Sequence, residues 1–457
     1  MKNIYILLLL NLLFFQQPIN AQEIAYFSLQ LDEHYISKPV SVVLPNSDKL
    51  NFNDKDIALY EITNQQEVYV GSQLEWGTKP ILWFIPDKKL GFNAERNFVI
   101  KLTDKVKINK EIVQRNNEVN QRTEDKNKRA KDINQITQHI NQRAKLKESF
   151  RLTKSDGNIT IYKNNTPVLS YRYNDMYPPE GVDSLFKRSG FIHPLYSPNG
   201  QVLTRVQAPD HYHHYGIWGP WTLTHIDDRE VDFWNLAKGE GTVEFVSFLS
   251  EVTGDIYSGF KVLQNHIDFN NGAGNQIALN EMLEVRVWNI DDNVWIIDYT
   301  STINTPLANG VLFDAYRYGG GIGFRATEQW HKDNSTILTS EGKSRVDADG
   351  SRARWCIING ATDVNEKQSG ILFMSNPSNR QHPEPMRVWP MDANEGRGDI
   401  FFEFTPIRYE PWHIMPGQDY KLSYRMVVFD GEMSKETAES YFKSYANSPK
   451  IKIEFSN

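Results

Sequence analysis

Cysteine is nearly absent: Cys356 is the single one in 457 residues. No intramolecular disulfide can form, and there is no closed cysteine set for zinc. On the strand-like run RWCIING, it reads as a small buried apolar residue. An excess of one charge is also missing. With 50 Lys and Arg against 57 Asp and Glu, the formal net charge is −7. That mild negative balance argues against nucleic acid as the main partner. Beyond the first residues no apolar stretch approaches spanning length, so no membrane anchor is expected there. The lack of a fixed-period repeat disfavours a propeller. The lack of βαβ alternation argues against a parallel α/β enzyme.

The chain begins with MKNIYILLLLNLLFFQQPINAQ, in which Lys2 precedes an apolar run from Ile4 to Phe15 and a polar stretch follows. Residues 1–21 are read as a secretory signal peptide cleaved after Ala21, which predicts a periplasmic or secreted protein. Residues 22–104 alternate short apolar runs (AYFSLQL, KPVSVVLP, ALYEI, EVYVGSQLEW, KPILWFIP, NFVIKL) with turn signals, the pattern of a small β-sandwich. Residues 105–149 lack Pro and Gly and carry a thin apolar seam, with Ile112, Val119, Ile133 and Ile140 on one seven-residue frame. They are expected to form a charged helical linker. From 150 to 457 strand signals return, among them NITIYKN, LEVRVWNI, NVWIIDYTSTI and DYKLSYRMVVFD. SKETAESYFKSYANS alone reads as an amphipathic helix with a serine cap. The predicted fold class is all-β, with a large antiparallel β-sandwich as the catalytic domain.

Aromatic residues make up 12% of the chain, with 11 Trp and 21 Tyr. Such rings fill sandwich cores and also stack on sugar rings, so a carbohydrate partner fits the composition. Nine of the 11 histidines fall beyond residue 150, three of them in DHYHHYGIW, residues 210 to 218. On a regular strand, His211 and His213 share one face while His214 takes the other. Two imidazoles on one face can shuttle protons, grip a polar ligand or bind a metal. A His-x-His pair needs at least a third ligand for a divalent metal ion. None is identifiable in the sequence, so a metal cofactor stays possible without being favoured. Further candidates are Tyr316, Arg317 and Tyr318 in FDAYRYGGGIGF, with Arg317 facing away from the tyrosines if that run is a regular strand. Gly319, Gly320 and Gly321 lack a P-loop lysine, and predict a bulge or close backbone approach instead. Asp232 and Trp234 offer a carboxylate and a stacking platform. His382 in HPEP lies between turn-forming residues, which predicts a loop-borne functional group. His193 and His413 are weaker candidates.

DHYHHYGIW, followed by VDFW, RYGGGIGF and NRQHPEPMRV, resembles the exported bacterial PmoA-like family, a domain of unknown function, over roughly residues 190 to 430. The match falls on His211, His213, His214, Gly216, Trp218, Asp232, Trp234, His382 and Pro383. Tyr212 stands where proline is usual, and Tyr215 replaces an arginine whose bidentate charge a phenol cannot supply. The resemblance implies a galactose-mutarotase-like supersandwich. The chain is also similar to the oligosaccharide dehydratases of ulvan-degrading marine flavobacteria, which form an unsaturated uronic acid. That likeness implies a carbon–oxygen lyase acting by β-elimination on an acidic, algal oligosaccharide.

Such an elimination needs a base, an acid for the leaving oxygen, and positive charge or hydrogen bonds to hold the enolate-like intermediate. The expected catalytic residues are His211, His213, Tyr316 and His382. The expected substrate-binding residues are His214, Trp218, Asp232, Trp234, Arg317, Tyr318, Arg380, Arg387 and His413. The alternatives are an epimerase or mutarotase, which also needs a paired acid and base, and a non-catalytic carbohydrate-binding protein. Glycoside hydrolysis ranks lower because the aromatic segments offer histidines more readily than two carboxylates. The oligomeric state is left open.

Overall fold

Apolar and polar residues alternate along Gln276–Trp288 and Val294–Asn304, and burial alternates with them. This is how a strand behaves with one face in a core. The computed structural model describes residues 22–31, 38–44, 56–77, 79–86, 95–103, 150–270, 273–362, 367–447 and 449–455. The expected signal peptide (1–21) and helical linker (105–149) lie outside these residues.

The larger unit is the expected antiparallel sandwich. One nine-stranded sheet runs in the order Arg352–Ala353, Glu384–Val388, Phe401–Phe404, Ile322–Arg325, Ile217–Trp218, Phe191–Leu195, Thr166–Arg172, Asn158–Lys163 and Phe150–Ser155. The facing eight-stranded sheet runs Gly241–Thr253, Tyr257–Asp268, Gln276–Trp288, Val294–Asn304, Tyr420–Asp430, Gln368–Ser375, Trp355–Ala361 and Ser335–Thr339. Between them lie Ile161, Leu169, Ile217, Phe324 and Phe402 with Val262, Leu283, Ile297, Phe373 and Met426, all buried. Each such side chain stabilises the fold by roughly 1.5–3 kcal/mol when fully buried. Cys356 is buried in the same core, as expected.

The outer face of the eight-stranded sheet is apolar as well. Trp288, Ile296, Leu372 and Val427 pack there under Ala438 and Phe442 of the helix Lys435–Ala446 and against Ile85 of the N-terminal unit. The helix starts where expected, with the Ser434 hydroxyl accepting from the Thr437 amide at 3.1 Å. Among the described residues, no helix is long and apolar enough to cross a membrane.

The N-terminal unit pairs a five-stranded sheet with a three-stranded one. One correction concerns its boundary. The last strand, Lys450–Phe455, leaves the large sandwich and pairs antiparallel with Gln22–Gln30, where Ile451 and Ile453 pack on the N-terminal core. An open edge with unpaired amides is thereby covered, a contact that no local pattern announces. Gln73 further accepts hydrogen bonds from the Ile256 and Tyr257 amides, each at 3.0 Å, and Glu75 pairs with Arg286 at 2.9 Å. Two small sheets complete the described fold: Val206–Ala208 with His211–Tyr215, and a four-stranded sheet that includes Val311–Phe313 and Trp412–Ile414.

Candidate active site

The histidine strand is irregular where it matters. Val206 pairs with Tyr215 and Ala208 with His211, so two steps on one strand face four on the other. The extra residues form a bulge that bends the strand and re-aims its side chains. Immediately afterwards Gly216 has φ +63, and a Cβ there would lie 2.3 Å from the Ile192 carbonyl oxygen. Only glycine tolerates that conformation at such close approach.

The bulge overturns the expectation that His214 faces away from His211 and His213. The His211 and His214 rings stack at 4.7 Å, and His213 stands edge-on to them at 5.3 and 4.8 Å. One ring nitrogen from each falls within 4.8 Å of the others. His211 is the open member, with 37% of its side chain exposed. His214 is buried, and its Nδ1 has no hydrogen-bond partner. Burial, reinforced by neighbouring His211, lowers the His213 imidazole to about 4, and burial holds His214 well below its ordinary value. Both rings are therefore neutral near pH 7.

Asp210 fixes this group from behind. Its Oδ2 lies 2.9 Å from His211 Nδ1, and Arg325 Nη2 donates to both carboxylate oxygens at 3.0 and 2.8 Å. Arg325 also donates to Asp399 at 2.7 Å. Burial alone would raise the Asp210 carboxyl, but the His211 hydrogen bond and the Arg325 guanidinium outweigh it and hold it well below the usual carboxylate range. Trp234 donates its indole N–H to the His213 carbonyl at 3.1 Å. Trp389 packs against His211 at 4.7 Å, and Phe401 stacks on His214 at 5.0 Å.

A wall of tyrosine and arginine adjoins the imidazoles. Residues 314–321 form a loop and not a regular strand, so Tyr316, Arg317 and Tyr318 are not forced onto alternating faces. The Tyr318 ring lies 5.2 Å from Trp234 and 5.9 Å from Tyr316, and the Arg317 guanidinium stands 5.3 Å over it. The Tyr318 oxygen accepts from Arg387 Nη2 at 3.0 Å and from Trp389 Nε1 at 3.3 Å. Arg387 Nη1 in turn pairs with Asp349 at 3.0 Å. The glycines that follow permit the close approach predicted for them: a Cβ on Gly320 would lie 2.0 Å from the Phe404 carbonyl oxygen. Beneath them, Glu403 is fully buried, accepts from the Gly319 amide at 2.7 Å, and is pushed by burial well above the usual carboxylate range.

Several expected site residues take other places. His382 contacts Ser375 Oγ at 3.2 Å and stacks on Phe442 of the C-terminal helix. Between it and Trp389 runs the strand Glu384–Val388, which alone spans roughly 13 Å. The structure thus does not bring His382 to the imidazole group with which it was expected to act. Arg380 donates to the Pro411 carbonyl at 2.8 Å and lies over Trp412. His413 is exposed on the small four-stranded sheet, 3.3 Å from the Asn309 carbonyl. Neither contacts the imidazole group. Asp232 is buried, and its carboxylate is consumed by the Trp234 and Asn235 amides, Thr222 and the Asn235 side chain, at 2.7–2.9 Å. It caps a turn and is not free to bind substrate. Trp218 and Trp234 are buried at 0% and 3% exposure, so they support His214 and do not offer a face to a sugar. His214, at 1% exposure, shares that depth. Tyr215, in the place of the family arginine, is buried and donates its hydroxyl to the Phe186 carbonyl.

Asp210, Arg325, Trp389 and Asp399 were not singled out in the sequence. Asp210 opens the DHYHHY run, and its adjacency to a histidine was the available signal. Arg325 and Asp399 carry no local signal because their partners are distant in sequence.

Fold and site together define a two-sandwich protein with an imidazole, tyrosine and arginine site at the bulged strand. The chain belongs to DUF6807, a family of unknown function, whose model matches residues 158–443 and so includes every residue of this site. No curated protein matches it. Among solved structures it is similar to the GH36 α-galactosidase AgaB of Geobacillus stearothermophilus, at 7% identity and TM-score 0.30, covering 63% of this chain and 40% of that one. It is also similar to a GalM/aldose epimerase homologue from C. elegans, at 10% identity and TM-score 0.27, covering 62% of this chain and 99% of that one. An α-galactosidase from Lactobacillus brevis matches at 8% identity and TM-score 0.24, covering 64% and 41%. The chain thus spans less than half the length of these α-galactosidases. At this level the likeness does not extend beyond the fold.

Proposed function

We propose that this protein is an exported carbohydrate-active lyase that performs β-elimination on a terminal uronic acid of an acidic oligosaccharide. The observation that carries the reading is the Tyr318 oxygen, which accepts two hydrogen bonds, from Arg387 and Trp389, beside the open imidazole group. With two donors aimed at its oxygen, the phenol is oriented and its own proton is left for exchange with a ligand. Tyr316, whose hydroxyl has no hydrogen bond among the described residues, stands next to it as a second proton-transfer group. Arg387, exposed Arg317 and the imidazoles form the cationic and donor-rich side that a uronate carboxylate requires.

In the step, the C5 proton leaves to the base, the C4–O bond breaks, a C4=C5 double bond forms, and the departing oxygen takes a proton. Where the C4 substituent is a hydroxyl, water is released. The negative charge that develops on the carboxylate side is met by the arginine and imidazole face.

The test is to mix the purified chain with uronate-terminated oligosaccharides and follow the ultraviolet absorbance of the conjugated enoate. Tyr318→Phe should lower turnover by about 10²-fold or more. Sugar turnover that changes only the anomer or epimer, with no absorbance, would replace the lyase by an isomerase. Calorimetric binding with no product would leave a carbohydrate-binding protein.

A further inference from the structure

We propose that His211, His213 and His214 form a binding site for one divalent transition-metal ion of the zinc class. The proposal goes beyond the elimination reading and does not rest on it, since it follows from the geometry of the three rings alone. One ring nitrogen from each residue lies within 4.8 Å of the others, against the roughly 3.3 Å between ligand atoms around a tetrahedral ion bound at 2.0–2.1 Å. Ion binding therefore requires the ring nitrogens to approach by up to roughly 1.5 Å.

Three features separate this cluster from a chance gathering of histidines. The His211 Nδ1 position is taken by Asp210 at 2.9 Å, which leaves Nε2 as its available nitrogen. A carboxylate on the far nitrogen is the usual support of a metal-binding imidazole, fixing tautomer and ring orientation. Asp210 is itself locked by two contacts from buried Arg325, so this support is rigid. The second feature is His214. It is 99% withdrawn from solvent, its Nδ1 has no partner, and its ring is clamped between aromatic neighbours against His211. Burying an imidazole nitrogen without a hydrogen bond is costly, and an ion bound at that nitrogen would supply the missing partner. The third is the bulge, which turns three residues of one short strand onto one focus when alternation would divide them.

The ligand chemistry narrows the ion. Three imidazoles without thiolate or carboxylate in the inner set suit zinc, and also cobalt, nickel or copper, in preference to calcium or magnesium. Three protein ligands would leave a further coordination position, and His211, with 37% of its side chain exposed, is the member of the group open to solvent. An ion there would polarise an oxygen of a bound molecule. In the proposed elimination it would meet the carboxylate side, with Tyr318 and Tyr316 retaining proton transfer.

The experiment uses the full chain, stripped with a chelator and titrated with zinc by calorimetry and with cobalt by visible and proton magnetic resonance spectra. The expected result is one ion per chain, with cobalt producing d–d bands and shifted, exchangeable imidazole N–H signals. His211→Ala and His213→Ala should weaken zinc binding at least 100-fold, and Asp210→Asn by about 10–100-fold, the usual effect of losing a supporting carboxylate. Absence of zinc binding by the unsubstituted chain overturns the proposal, as does cobalt binding without imidazole signals. Equal affinity in the folded His211→Ala and His213→Ala variants, checked by circular dichroism, also overturns it. If those variants do not fold, the cobalt spectra of the unsubstituted chain decide. Zinc binding without enoate formation defeats only the elimination reading. Enoate formation by a chain that binds no zinc defeats only this one.

Discussion

Glu384, in the HPEP motif, tests whether that motif serves structure rather than chemistry. Its carboxyl is completely buried and is raised by burial from an ordinary 4.5 to about 7. Hydrogen bonds from Ser375 (2.6 Å), Asn379 (2.8 Å) and Tyr424 (3.0 Å) offset the burial only in part. A carboxyl raised on folding holds its proton more tightly in the folded state. Its contribution to stability is therefore complete below pH 4.5 and is lost as pH rises through about 7. At ~1.4 kcal/mol per pH unit of displacement, the loss is roughly 3 kcal/mol. Glu384→Gln keeps the shape and most of the hydrogen bonds but cannot ionise. The stability of the variant relative to the parent should therefore grow by roughly 3 kcal/mol between pH 4.5 and 8. Taking the difference cancels the contribution of Glu403, which burial raises in the same direction. Urea unfolding of both proteins across that range measures it. A difference that stays flat with pH would refute the reasoning and would mean that Glu384 is ionised in the folded chain or meets water.

Other outcomes follow from the same contacts. His382→Ala should leave turnover near that of the parent, in the enoate assay, because the ring packs on Phe442 away from the imidazole group; a loss of 10²-fold or more would restore its catalytic reading. Asp232→Ala should destabilise the chain by about 1–3 kcal/mol in chemical denaturation, since the Trp234 and Asn235 amides lose their acceptor. Gly216→Ala should cost more than about 1 kcal/mol because φ +63 and the Ile192 carbonyl leave no place for a methyl group. Deleting residues 449–457 uncovers the Gln22–Gln30 edge, and a lower melting temperature with greater self-association is the expected readout by calorimetry and light scattering.

What the sequence by itself determined is whatever depends on neighbours along the chain. Period-two alternation set the strands of both sandwiches, Ser434 set the start of the C-terminal amphipathic helix, and Gly319 to Gly321 announced a close backbone approach. DHYHHYGIW marked the site. Only the tertiary structure decided how that site is assembled. Alternation alone sends His214 away from His211 and His213, and the mismatch in pairing with Val206–Ala208 brings it back. The support of His211 by Asp210 depends on Arg325, 115 residues beyond Asp210 in the chain, which also holds Asp399, 189 residues beyond it; only folding brings the three together. Likewise Trp218 and Trp234 have the residue types of a binding site, but depth within the aromatic core assigns them to support. Local periodicity encodes which side of a strand is apolar. Register, bulges and burial between distant strands determine which polar groups converge and which remain accessible.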